Sequence, residues 1–380
     1  MRYLFCLGII WIISCSDKNQ NDGLGYFKKK NFLIDTFVVD ATGEIIFLKY
    51  QLFGSDKSKD DKYLFNFNLD DHTLEKINLD QLKLEEKLRF EKEGPNGTGH
   101  TVGKIKIHSE NRIMINGMNY SSLFSLKGER LLKIYFENFS LGGHPMEGGE
   151  ELRFSRELDT KTNRLYGIIL RHKDKSFALG ILHLNEYEIT KMELSTFQKL
   201  PHYTFTNILP GGSMLNKSPE IEIEKFGSKI ILSNQITNAL MWYDTEMDSL
   251  FLRSYSSQLT ANCKLKDYQL QHESDESFDA EYNRFLQEIN FLAPFWDEKN
   301  QIFYRFSYKL IPIEDNINTE LKWKVFLTAL DKDLNLIGEI SVPQLTKVPA
   351  KHFAKDGKIW IFENINDELA FQVIEIADSL

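Results

Sequence analysis

Cysteine, basic charge, long apolar runs and clustered metal ligands are all scarce in this sequence, and each shortage excludes something. Three cysteines occur in 380 residues. Cys6 and Cys15 lie at the N-terminus, which leaves Cys263 without a partner for an internal disulfide. The folded region must therefore be held by its core. Lys and Arg number 46 against 55 Asp and Glu, a formal charge of −9. A mildly acidic chain lacks the basic footprint that nucleic acid requires, so no nucleic-acid partner is expected. The run Tyr3 to Ile13 is apolar but falls well short of the ~20 residues a spanning helix needs. The nine histidines are scattered, the nearest pair being His100 and His108, and neither His-Glu-x-x-His nor Cys-x-x-Cys occurs. The sequence thus points to no metal site and to no cofactor.

Catalytic signatures are equally thin. Gly94 to Lys104 is only loosely like a phosphate-binding loop, with Thr98 in a glycine position and Ile105 where the magnesium-binding hydroxyl should stand. Ser213 lacks the following glycine of a nucleophile elbow. Paired acids such as Asp60-Asp61, Glu150-Glu151 and Asp275-Glu276 suit any solvated surface as well as they suit a glycosidase. No catalytic residue is assigned.

What is present starts at the N-terminus. Ile12-Ile13-Ser14-Cys15, behind a short positive start and an apolar run, resembles the lipobox of bacterial lipoproteins. The resemblance implies a signal peptide over 1–14, acylation of Cys15, and a tether over 15–30 that holds the protein to a membrane of the cell envelope, the outer membrane being favoured. Cleavage before Cys15 removes Arg2 and moves the formal charge from −9 to −10. Lys28-Lys29-Lys30 then reads as a solvated linker or a lipid-headgroup contact.

From residue 31 onward the signal is strand-like: short runs of Ile, Leu, Phe and Tyr broken by Asp, Asn, Gly and Lys. With 28 Phe, 15 Tyr and 5 Trp the chain has ample material for a core without disulfides. A unit recurs in which a polar turn introduces a compact apolar strand and a tight hairpin follows. The compact strands are expected at 45–48, 113–115, 165–170, 230–232, 302–306 and 359–362. Hairpins are expected at 64–69/74–79, 122–126/131–136, 178–184/188–194, 239–243/249–253 and 324–330/334–341, with turns rich in Asp, Asn, Gly and Lys. Six such units make an all-β, six-bladed β-propeller spanning 31–380, because radial stacking buries both faces of each sheet. A sandwich pair or an open barrel is the alternative. The last unit lacks a fourth strand, and a segment within Leu24–Val39 is expected to supply it. Helical spacing of Phe278, Tyr282, Phe285, Leu286 and Ile289 predicts one inserted amphipathic helix, about 276–290, as a lid.

Short turns fall on one face of such a ring, whereas second-to-third loops (49–63, 308–322) and inter-blade crossings fall on the other. On this inserted face the amide-rich Ser233 to Asn238 loop and the Phe303 to Tyr308 strand offer Asn234, Gln235, Asn238, Tyr304, Arg305 and Tyr308 as candidate ligand-binding residues. The same amides could instead satisfy bent backbone. His144, in the glycine-rich Gly142 to Gly149 loop, is a further candidate.

The lipobox, Ser218-Pro219-Glu220, the Ser233 to Asn238 loop followed by Met241-Trp242-Tyr243-Asp244, and Asn300 to Tyr308 together resemble an uncharacterised Bacteroidetes-type lipoprotein family, known only as a domain of unknown function. The resemblance implies no catalytic residues. Three functions remain: a tethered binding or scaffold module for a glycan, peptide or protein partner; a propeller enzyme such as a glycoside hydrolase or lyase acting on an extracellular polymer; or a purely structural envelope protein, which would show no pocket on either face.

Overall fold

The computed structural model describes residues 23–136, 146–312 and 321–378. The expected signal peptide over 1–14, Cys15 and His144 lie outside the described residues. Six antiparallel sheets follow one another along the chain. Blade one comprises Ser55–Lys57, Tyr63–Asn68, Thr73–Asn78 and Lys83–Arg89. Blade two comprises Ile105–Ser109, Arg112–Asn116, Tyr120–Ser125 and Arg130–Tyr135. Blade three holds Glu150–Asp159, Arg164–Arg171, Ser176–His183 and Glu188–Glu193. Blade four holds Ile221–Phe226, Lys229–Asn234, Ala239–Asp244 and Ser249–Ser254. Blade five has a broken inner strand, Asn290–Phe291 then Phe295–Asp297, followed by Ile302–Leu310, Trp323–Leu330 and Leu336–Ser341. Blade six runs His352–Lys355, Lys358–Ile365 and Glu368–Asp378.

The missing strand of blade six is Lys30–Val38, which pairs antiparallel with Glu368–Asp378 from Lys30 opposite Asp378 to Val38 opposite Ala370. The N-terminal segment does more than that. Leu24–Gly25 first pairs with the outer strand of blade five, Leu24 opposite Glu339 and Gly25 opposite Gly338. Gly25 has φ +58°, and a Cβ there would sit 2.1 Å from the Ile337 carbonyl oxygen, so only glycine fits this approach. Phe27, wholly buried, then plugs the seam between blades five and six beside Phe32 and Tyr304. The fold therefore begins before the expected boundary at residue 31.

The compact strands at 113–115, 165–170, 230–232, 302–306 and 359–362 are the second strands of their blades, as the assignment of the loops after them to second-to-third connections requires. Each is preceded by an inner strand, and in blades two and four that strand alternates charge with isoleucine and so looks less apolar. One expectation needs correction: in the first unit 45–48 forms no strand. Both carboxylate oxygens of Glu75 accept the Phe47 N–H at 3.1 Å, and Asn66 donates to the Phe47 carbonyl at 2.8 Å. Side chains of blade one thus satisfy this backbone in place of a ladder. Residues 49–63 are consequently a crossing, a first strand and a turn, not a second-to-third loop.

Two inter-blade crossings fold into one accessory body. The hairpin Phe205–Ile208/Met214–Lys217 pairs in parallel with Gln271–His272, and the helix Asp275–Gln287 packs on it. Ser274 caps that helix by accepting from the Ser277 N–H, and Asp275 and Glu276 occupy its first turn. It ends three residues earlier than expected because the chain turns extended at Glu288 to enter blade five. Phe205 meets Tyr268, Tyr282 and Phe285 at 5.5–5.6 Å, and this aromatic cluster merges with the cores of blades three and four.

Candidate functional site: the two mouths of the axis

Strand alternation builds the axial site. In Lys104-Ile105-Lys106-Ile107 both isoleucines enter the core between blades one and two, which leaves both lysines to the lumen. Blade four answers with Glu222-Ile223-Glu224, where Ile223 is buried and the flanking acids face the axis. The charges match across the lumen. Lys104 pairs with Glu222, while Lys106 Nζ lies 2.6 Å from Glu224 and 2.7 Å from Glu157 of blade three. Ser155 donates to Glu222 at 2.9 Å and accepts the Ile223 N–H at 3.1 Å. Asp56 of blade one accepts the Ile107 N–H at 2.7 Å, and Lys351 of blade six donates to the Ser55 carbonyl at 2.7 Å.

These groups titrate as one cluster. Burial opposes the charge of Lys106, but Glu157, Glu224 and Asp56 outweigh it and hold the amine well above its usual range. Burial pushes the Glu157 carboxyl up to about 7, with Lys106 offsetting part of the shift and Glu224 adding to it. For Glu224 burial acts the same way, yet Lys106 prevails and keeps it ionised below the ordinary carboxylate range. Burial lowers Lys351, and it drives His352 down to about 4, so that imidazole is neutral in the wall.

The axis accordingly holds two cavities with a shared floor of Asp56, Lys106, Lys351 and His352. The cavity on the short-turn face, about 840 Å³, is walled by Lys57, Asp61, Asp159, Lys225 and Trp296. The cavity on the inserted face, about 480 Å³, is walled by Tyr50, Phe53, Arg153, Glu220 and Tyr308. Its rim carries a strained turn: Tyr50, Gln51 and Leu52 have φ of 64°, 52° and 61° in succession. Three adjacent non-glycine residues in the left-handed region cost of order 1 kcal/mol or more each. Leu52, 1 % exposed, fastens this turn to the core, while Tyr50 and Phe53 remain 61 % and 52 % exposed at the mouth. Phe53 lies under Lys104, whose Nζ is 4.9 Å from the ring centre.

The described residues singled out from sequence are buried, and their side chains are largely engaged within the fold. Asn234 accepts the N–H groups of Ile236 and Thr237 at 3.0 Å and so shapes its own turn. Gln235 donates to Asn290 at 3.1 Å and to Tyr308 at 3.3 Å, and accepts the Glu220 N–H at 3.0 Å. Asn238 accepts from Arg305, whose Nε also donates to the Leu292 carbonyl at 2.8 Å. Tyr304 is enclosed beside Phe27. Tyr308 reaches the inserted-face mouth. Sequence reasoning missed the lumen charges and the Tyr50–Phe53 turn. Opposite-sign alternation in 104–107 and 220–224 was the available signal for the first; for the second there was none. Among the described residues no group of three His, Cys, Asp or Glu could hold a metal ion.

Residues 28–341 match the family described as a domain of unknown function, DUF4221. A solved member of that family from Bacteroides vulgatus superimposes with a TM-score of 0.61 at 13 % identity, over 93 % of this chain and 99 % of that one. A protein from Bacteroides fragilis described as exported gives a TM-score of 0.49 at 8 % identity, over 93 % and 97 % of the two chains. No curated protein matches the sequence. The chain belongs to the DUF4221 family.

Proposed function

We propose that this DUF4221 member is an extracytoplasmic propeller, lipid-anchored through Cys15, that binds a glycan or peptide segment at its inserted-face mouth. The observation that carries this reading is the Tyr50–Phe53 turn: backbone strain is sustained there to hold two aromatic side chains exposed over an axial cup. Exposed rings beside paired charges suit ligands that combine flat faces with hydrogen-bonding groups. Export agrees with the N-terminal signal pattern and with the description of the Bacteroides fragilis neighbour.

A thermal-shift screen of a soluble Cys15→Ala form against oligosaccharides and peptides tests the reading. A saturable stabilisation that disappears in Tyr50→Ala and Phe53→Ala is expected; at 100 times Kd it amounts to about 2.7 kcal/mol. Stabilisation that survives both substitutions, or none with either ligand class, overturns it.

One observation favours the enzyme reading. Glu157 and Glu224 both contact Lys106, yet burial prevails at Glu157 and the lysine prevails at Glu224, which sets their proton affinities apart. A glycosidase needs such a pair free to face substrate, and here each carboxylate is held by the lysine. Turnover of an envelope polysaccharide that is abolished in Glu157→Gln would replace the binding reading with this one.

A further inference from the structure

We infer that the propeller stands edge-on at the bilayer, with the outer edge of blades five and six against lipid headgroups and both axial mouths facing sideways. This rests on the proposed acylation of Cys15. The first strand pairing of the chain sets Leu24 opposite Glu339 and Gly25 opposite Gly338, midway along the outer strand Leu336–Ser341. The tether therefore leaves from the rim of the ring and from neither face. Eight residue steps separate Cys15 from Gly23, which at full extension span about 30 Å. An anchor that short keeps this edge close to the membrane.

The edge has the chemistry for the contact. Lys28 and Lys29 are exposed at the exit point and suit anionic headgroups. Directly after them the outermost strand Lys30–Val38 displays Leu33, Phe37 and Val38, 56 %, 39 % and 49 % exposed. Apolar side chains next to lysines form the pairing that holds proteins at an interface when one lipid anchor supplies the rest. Other outer strands also expose apolar residues, Leu131 of blade two among them, but only this edge follows from the tether.

The test uses the lipidated full chain in vesicles of phosphatidylethanolamine and phosphatidylglycerol that carry a headgroup quencher. An environment-sensitive fluorophore is attached at Leu33→Cys, at Phe37→Cys, or at Leu131→Cys on the far side of the ring, each in a Cys263→Ser background. Several-fold stronger quenching at 33 and 37 than at 131 is expected, reduced when Lys28→Glu and Lys29→Glu are added. Protein that floats with the vesicles yet is quenched equally at all three positions overturns the orientation and leaves the anchor standing. Protein that fails to float, or a Cys15→Ala form that floats unchanged, overturns the anchoring itself.

Discussion

Lys106→Met should lower the unfolding free energy by about 3–5 kcal/mol at pH 8, the usual cost of stranding buried carboxylates, and by clearly less at pH 5. The difference follows from Glu157, whose folded value is raised by burial to about 7 from an ordinary 4.5. A raised carboxyl favours the folded state below its unfolded value, and that contribution is lost as pH rises through the folded one. Without Lys106 the Glu157 proton is held more tightly still, so the variant suffers most where the acid must ionise. Urea titrations from pH 5 to pH 8 give the comparison. Lys106→Met combined with Glu157→Gln and Glu224→Gln should recover much of the loss, since no charge is then left without a partner. A loss that does not vary with pH would falsify the electrostatic account and leave only packing.

Phe27→Ala should cost about 3–5 kcal/mol, the range for truncating a buried phenylalanine. The residue is wholly enclosed, 5.2 Å from Tyr26, 6.1 Å from Phe32 and 6.5 Å from Tyr304 between ring centres. It is also the point at which the first and last parts of the chain meet. The substitution should therefore speed amide exchange in Glu368–Asp378 and Leu336–Ser341 well before it affects blades two and three. Uniform loss of protection around the ring would show that closure is no weaker than the rest.

Much of this architecture could be read from the sequence because hairpins announce themselves locally. Asn185-Glu186, Asp244 to Asp248 and Asp331-Lys332-Asp333 sit between alternating apolar runs, and each lies at a turn between paired strands. The closing strand could be inferred by counting, since an odd strand at one end of a ring calls for a partner at the other. Inner strands were harder. Their lumen positions are occupied by Lys104, Lys106, Glu222 and Glu224, and an apolar search passes over such alternation. The site was harder again. Gln235 looks the same whether it meets a ligand or the protein, and its partners Asn290 and Tyr308 are 55 and 73 residues away. The Tyr50–Phe53 turn gives no warning, as a left-handed backbone without glycine follows from what Leu52 must reach and not from any local preference.

The ion pairs around Lys106 also bear on how solutes travel. A ring of blades invites the picture of a pore, yet the two axial cavities here meet at a floor that carries Lys106 with Glu157 and Glu224. A solute moving from one opening toward the other meets paired charges halfway, so those pairs set the barrier to any transit.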